Sequence, residues 1–404
     1  MSDRTIVGVE TLRSSNPPWA PLRNKRTVAL VHAASALPDT LTHTVDAIAD
    51  DGLKLAAILA PEHGFRGDRQ AEHGDPKPYV DADTGFMVHS VYRKNMTALS
   101  QLFQSLKAEI VLVDIQDAGT RLYTFIWTLY SLMEAASTLP SSPTFLIADR
   151  PNPLGGNAVE GPLLNMSCCA SRYGFLNITH RHGLTVAEAA HLFAASIGRV
   201  KLAVVPMINW SRDMYFDDTG LPWLPPSPNL PTSNSAIAYA ATVFIEATTA
   251  SEGRGTTQPF ERIGAPFLNA SRLVSCLQSP ADATRAWRKT YFIPTWFKHN
   301  GTVCAGAELV RPGLLAHEDH GSLFREGVRL LAAVRDLATP PSAFAWDGSW
   351  FGQPGSILID RYAGTPRLRE LLDAGKSADE VADAFEAEAA AFAQARKPHL
   401  LYTN

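Results

Sequence analysis

Cysteine is scarce in this chain, with only Cys168, Cys169, Cys276 and Cys304 among 404 residues. They form neither a Cys-x-x-Cys pair nor a regular series, so neither a disulfide framework nor a zinc site is indicated, and free thiols are the expectation. Long apolar runs are missing as well. No stretch approaches the ~18 apolar residues that suggest a spanning helix, and Met1 to Arg26 lacks the apolar centre of a signal peptide. The sequence as it stands is therefore expected to be soluble and cytoplasmic, with no membrane partner. Charge of one sign is also in short supply. The formal net charge of −4 gives no bulk attraction to nucleic acid or to an anionic membrane, and neither is expected as a partner.

Several catalytic templates are absent too. There is no Gly-x-Ser-x-Gly nucleophile turn, and Gly375-Lys376-Ser377 lacks the upstream glycine of a phosphate loop. The glycines of Ser251-Glu252-Gly253-Arg254-Gly255-Thr256-Thr257 match no dinucleotide fingerprint. His180-Arg181-His182 and His317-Glu318-Asp319-His320 do not follow the His-Glu-x-x-His helix pattern of a metalloprotease. No metal and no cofactor are expected.

What is present is a rhythm. Short apolar runs at Val28–Val31, Leu55–Ala60, Ile110–Val113, Phe145–Ala148 and Leu202–Val205 suit strands buried on both faces. Between them fall candidate helices at Thr40–Asp50, Met96–Lys107, Tyr123–Ala136 and Thr185–Ile197, the last opened by the capping box Thr185-x-x-Glu188. This alternation predicts an α/β fold with a Rossmann-like, doubly wound parallel sheet. The proline-rich stretch Leu221–Pro231 then breaks every period. It divides the chain into a first domain over 1–225 and a smaller mixed α/β domain over 226–404. Trp223 within that stretch is read either as a flat wall for a sugar or, more simply, as a packed side chain. The second domain is expected to end in a helix from Ala378 to Arg396 behind the capping box Ser377-x-x-Glu380.

The polar chemistry gathers where strands end, which in open α/β sheets is where ligands bind. Ala60-Pro61-Glu62-His63-Gly64-Phe65-Arg66-Gly67 strings an acid, an imidazole and a guanidinium along a glycine-punctuated turn. A blander reading makes Glu62 and Arg66 a surface ion pair. Asp114, Asp117, Arg121 and Tyr123 follow the strand at Ile110–Val113, while Asp149, Arg150 and Asn152 follow the next. The Asp149-Arg150 pair reads equally well as a structural latch. His182 precedes a helix N-terminus, where a bound anion is favoured. Asn229 lies in the proline-rich stretch, and Glu246, Glu252 and Arg254 lie beyond it. Together these residues suit a polyhydroxylated or anionic ligand.

The segments PEHGFRG, DIQDAGTRLYT, DRPNPLGG, HRHGLT, DDTGLPWLPPSPNLPT and SEGRGTTQPFERIGAP, met in this order from Glu62 to Pro266, resemble the exo-β-N-acetylmuramidase family of bacterial peptidoglycan recycling, as does the terminal Leu400-Leu401-Tyr402. The resemblance implies a glycoside hydrolase that removes N-acetylmuramic acid from the non-reducing end of peptidoglycan fragments. It also implies an active site in the cleft between a Rossmann-like and a smaller domain, with no nucleotide and no metal. The family's catalytic glutamate falls on Glu62. Two departures stand out: His32-Ala33-Ala34-Ser35 replaces an Asn-Pro-Thr turn, and Glu246-Ala247-Thr248-Thr249 replaces Glu-Gly-Thr-Asn. Relatives often carry an export signal.

Glycoside hydrolysis needs a carboxylic acid to protonate the leaving oxygen and a second group to attack or to activate water. Glu62 is the expected acid. The second group is Asp117, Asp114 or the substrate's own 2-acetamido oxygen. Arg121, Arg150 or Arg254 is expected to bind the lactyl carboxylate of muramic acid. His63, Tyr123, Asn152 and His182 are expected to contact hydroxyl or amide groups, and Arg66, Asp114, Asp149, Asn229 and Glu252 complete the expected substrate-binding set. Two other readings compete: a non-catalytic sugar-binding protein on the same fold, and a metal-dependent hydrolase of another anionic substrate.

Overall fold

The computed structural model describes residues 4–71, 77–278, 287–310, 322–353 and 355–402. The motif His317–His320 lies outside them. In chain order the strands of the first part are β1 (Thr27–Val31), β2 (Ala57–Ala60), β3 (Tyr79–Val80), β4 (Met87–Ser90), β5 (Ile110–Asp114), β6 (Thr144–Ala148), β7 (Glu160–Leu163), β8 (Thr179–Arg181) and β9 (Lys201–Val205). Seven of them form one sheet in the order β3-β4-β2-β1-β5-β6-β9, parallel throughout except where β3 meets β4. All five apolar runs of the sequence are strands of this sheet. The helices Thr44–Asp50, Met96–Leu106, Phe125–Ser137 and Val186–Ile197 fall where the periodicity puts them, and the Thr185/Glu188 capping box is formed.

Burial on both sides explains the unbroken apolar runs. Val28, Leu30, Val111, Val113, Phe145 and Ile147 enter one core, while their neighbours Ala29, Val31, Leu112, Leu146 and Ala148 enter another on the opposite face. The first core continues beyond the proline-rich crossing and takes in Tyr239, Phe244, Leu331 and Phe385. Trp223 is packed edge-on against Phe216, and its indole N–H closes the crossing by donating to the Leu230 carbonyl at 3.0 Å.

The remaining strands, β10 (Arg262–Ala265), β11 (Trp287–Phe292) and β12 (Cys304–Leu309), form an antiparallel sheet in the order β10-β12-β11. Helices flank it. Ser233–Thr242 and Leu323–Asp336 approach so closely that a Cβ on Gly327 would sit 2.2 Å from the Ala241 carbonyl oxygen, which explains a glycine inside a helix despite its propensity cost. The last expected helix is two, Ala378–Asp383 and Glu386–Ala395. The break at Phe385 lets that ring pack against Phe324 at 5.9 Å. Cys168 and Cys169, expected as free thiols, are bonded to each other at the end of the short helix Met166–Cys169, and Cys276 and Cys304 are free.

The chain end returns to the first sheet. The Tyr402 hydroxyl donates to Asp149 at 2.7 Å just past β6, and the Met207 N–H donates to the same hydroxyl at 2.9 Å. Burial pushes the Asp149 carboxyl up to about 7, against hydrogen bonds from Tyr402 and Ala187 that lower it. An acid whose folded value lies above its unfolded value of ~3.9 holds an extra proton in the folded state between the two, so stability falls as pH rises through that window. The full effect is worth ~4 kcal/mol. Urea unfolding at pH 4.5 and 7.5 should show the wild type losing several kcal/mol relative to Asp149→Asn, and parallel behaviour of the two chains would remove Asp149 as the source.

Candidate active site

The switch in strand order lies at β1, whose neighbours β2 and β5 belong to opposite directions of winding. Ligands bind outside the carboxyl ends of strands at such a point. The loop after β2 carries Glu62 and His63, and the loop after β5 runs to Tyr123 and Thr124; all four line a cavity there. From beyond the proline-rich crossing, Tyr239, Glu246, Arg254, Phe260, Phe351 and Tyr362 close the other sides. The cavity measures about 50 Å³, well under the ~300–1,000 Å³ of common ligand pockets.

Glu62 is half-buried, and the Thr124 hydroxyl donates to its Oε2 at 2.6 Å. One carboxylate oxygen is thereby fixed, and the other accepts no hydrogen bond from the described residues. His63 takes a left-handed backbone with φ of 70°, which turns its ring so that Nδ1 lies 2.9 Å from the Arg69 carbonyl. A carbonyl only accepts, so Nδ1 carries the proton and Nε2 presents a lone pair. Burial lowers the imidazole pKa, aided by the Arg254 charge and opposed by Glu62, so the ring is neutral at pH 7. Tyr123 is oriented by its hydroxyl, which donates to the Pro226 carbonyl at 2.9 Å.

Across the cavity lies a buried charge cluster. Arg254 donates through Nε to Glu246 Oε1 at 3.0 Å and faces Glu252 at 3.2 Å. Lys298 meets Glu252 at 3.1 Å and donates to the carbonyls of Ile245, Glu246 and Ala250. The Tyr362 hydroxyl donates to Glu246 Oε2 at 2.8 Å. Burial raises the Glu246 carboxyl pKa, with Arg254 pulling the other way. Of this cluster Glu246, Arg254 and Tyr362 reach the cavity, and the guanidinium Nη1 has no hydrogen-bond partner among the described residues. The altered residues after Glu246 face inward: Thr248 and Thr249 bond to the carbonyls of Ile245 and Ala343. The other departure, His32–Ser35, is a closed turn in which Ser35 Oγ accepts from the His32 N–H at 2.9 Å.

Other residues singled out in the sequence hold the frame. Asp114 is buried against Arg150 and accepts from Thr44 at 2.6 Å, and Arg150 also reaches the Ala36 carbonyl. Asp117 accepts from the Gly119 N–H at 2.7 Å and lies 3.4 Å from His182 Nε2, while its Oδ1 has no partner among the described residues. Asn152 bridges to Leu184 and Leu154. Arg66 turns away to Asp81 at 2.8 Å, so the ion pair is not with Glu62. Asn229 donates to Gln70 at 2.8 Å beside the cavity residues Ser227 and Leu230. Arg121 is fully buried and gives its guanidinium to the carbonyls of Tyr173, Arg361 and Tyr362. Burial pushes its pKa down to about 9. It thus braces two cavity tyrosines from behind. Asp149 belongs to the chain-end latch. Thr124, Tyr239, Phe260, Phe351 and Tyr362 gave no signal as site residues in the sequence. Among the described residues no three His, Cys, Asp or Glu side chains converge to hold a metal ion, and no helix is long and apolar enough to cross a membrane.

Comparison with known proteins gives one answer. The family described as exo-beta-N-acetylmuramidase NamZ, N-terminal, matches residues 28–234, and its C-terminal counterpart matches 237–402. The peptidoglycan beta-N-acetylmuramidase NamZ of Bacillus subtilis (strain 168) is 37% identical over 384 residues, covering 94% of this chain and 88% of that protein. Two crystal structures of DUF1343 family proteins from Bacteroides fragilis NCTC 9343 are similar with TM-scores of 0.83 and 0.75, at 25% and 26% identity. The first comparison covers 99% of both chains and the second 100%.

The charge cluster is testable by removing one member. Lys298→Met leaves Glu252 buried without its ammonium partner and should cost ~3–5 kcal/mol in urea unfolding. Adding Glu252→Gln should return part of that loss. A single variant within ~0.5 kcal/mol of wild type would show that the cluster does not hold the fold.

Proposed function

The chain belongs to the exo-β-N-acetylmuramidase NamZ family and is a glycosidase acting on peptidoglycan fragments, and we propose that it frees N-acetylmuramic acid from the non-reducing end with Glu62 as general acid. The observation that carries the assignment is the placement of Glu62 on the cavity wall, bonded through one oxygen to Thr124. The other oxygen is available to protonate the leaving glycosidic oxygen as its bond to the anomeric carbon breaks. Residues 1–225 contribute this acid, and residues 226–404 contribute Arg254 and Glu246.

Asp114 is committed to Arg150 and Thr44, and Asp117, whose Oδ2 is held by Gly119 and His182 while its Oδ1 is unpartnered among the described residues, is like Asp114 not among the residues that line the cavity. Their position off the cavity wall favours the substrate's 2-acetamido oxygen as the second group: it attacks the anomeric carbon, and water then opens the resulting ring. Of the three candidate arginines, Arg121 and Arg150 are spent on carbonyls and Asp114, whereas Arg254 lines the cavity. Arg254 is therefore the residue we assign to the lactyl carboxylate, with His63 Nε2 accepting from a sugar hydroxyl.

Glu62→Gln keeps size and hydrogen-bonding reach but removes the transferable proton. On a natural disaccharide its turnover should fall about 10²–10⁴-fold, and by much less on an aryl glycoside whose leaving group needs little protonation. Equal loss on both substrates would reassign Glu62 as nucleophile or base, and near-wild-type activity would remove it from the mechanism.

A panel of chromogenic β-glycosides with and without the lactyl ether tests the substrate. Muramides should be preferred, and methyl esterification of the lactyl carboxylate should raise KM. Equal turnover of muramides and glucosaminides would withdraw Arg254 from recognition. Release of free sugar that survives a chelator rejects both the non-catalytic and the metal-dependent readings.

A further inference from the structure

The cavity bordered by Glu62 measures only about 50 Å³, so on the glycosidase reading the sugar that leaves must rest outside it. A single exposed apolar side chain is ordinary, whereas an exposed ring continuous with the wall of a cavity marks a surface a ligand can use. Trp350 is the one tryptophan among the strongly exposed hydrophobic residues described, at 51% exposure. Its ring lies 5.0 Å from that of Phe297, and Phe297 in turn lies 5.5 Å from the cavity residue Phe351 and 5.8 Å from the guanidinium carbon of Arg254. An unbroken run of rings therefore leads from the cavity wall to an exposed indole.

This shelf is held in place at a cost. Phe297 and His299 both adopt left-handed backbone conformations, with φ of 70° and 55°, which residues bearing a Cβ avoid. Between them Lys298 is locked onto Glu252 and three carbonyls of the 245–250 segment, and His299 Nε2 donates to the Thr249 carbonyl at 2.7 Å. Thr295 is tied to the Gly255 carbonyl next to Arg254. The charge cluster that borders the cavity thus also fixes the loop that carries Phe297.

We propose that Trp350, seated on Phe297, is the platform on which the leaving sugar of the peptidoglycan strand stacks its apolar face. This rests on the glycosidase reading above and adds a subsite to it. The platform binds the neutral hexosamine beyond the scissile bond and takes no part in proton transfer, so its loss should weaken substrates only when they carry that sugar.

The test compares wild type, Trp350→Ala and Trp350→Phe on two substrates, N-acetylmuramyl-β-1,4-N-acetylglucosamine and N-acetylmuramyl β-fluoride, which has no leaving sugar. For Trp350→Ala, kcat/KM on the disaccharide should fall about tenfold, mainly through KM, the size expected when one indole face is no longer removed from water. Hydrolysis of the fluoride should be unchanged, and Trp350→Phe should recover most of the loss. Equal loss on both substrates, or no loss on either, overturns the platform while the wild-type activity still supports the glycosidase reading. A wild-type chain that frees no N-acetylmuramic acid from either substrate overturns that reading and the platform with it.

Discussion

Everything around the cavity depends on the contact between Arg254 and its two carboxylates. A guanidinium buried near an aromatic wall would be prohibitively costly alone, and so would Glu246 or Glu252. Two acids and two bases, with Lys298 as the fourth, cancel each other's charge within one desolvated cluster. Because the cluster draws on the 246–254 segment and on the β11–β12 loop, it ties together pieces of chain that share no backbone hydrogen-bond ladder. Its neutrality also bears on chemistry. On the proposed role of Arg254, an incoming carboxylate would meet a guanidinium already answered by two glutamates, so discrimination would come from the geometry of one nitrogen unsatisfied among the described residues more than from raw field strength.

The architecture of the first half was legible because its strands are buried on both faces, and runs such as Ile110–Val113 leave little else to be. β3 and β4 escaped notice for the opposite reason. Tyr79–Val80 is exposed and Met87–Ser90 is buried only in part, so neither shows an apolar run. The final helix misled because alanine and glutamate satisfy helical propensity everywhere, while the break at Phe385 is decided by a partner, Phe324, distant in sequence.

The lining of the candidate cavity was legible where it sits on loops after strands. Glu62, His63 and Tyr123 come from such loops, and Arg254 from a glycine-rich turn. Tyr239 and Tyr362 sit within helices, where an aromatic residue looks like any core residue; only the folded chain reveals that they face a cavity. The reverse ambiguity affects Asp114, Asp149, Arg121 and Arg150. A buried charge at a strand end has the same sequence signature whether it answers a ligand or the protein's own backbone, and here these four bond to carbonyls, two hydroxyls and one another.

The core shared across the proline-rich crossing carries an evolutionary consequence. Two family descriptions meet at residues 234 and 237, as though the halves were interchangeable modules. Yet Tyr239 and Phe244 pack into the same apolar cluster as Val113 and Phe145, so a half borrowed from a distant relative would arrive with mismatched side chains in that shared cluster. Recombination at that seam is penalised by packing, and the two halves are bound to diverge together, with substitutions on one side of the crossing constrained by volumes on the other.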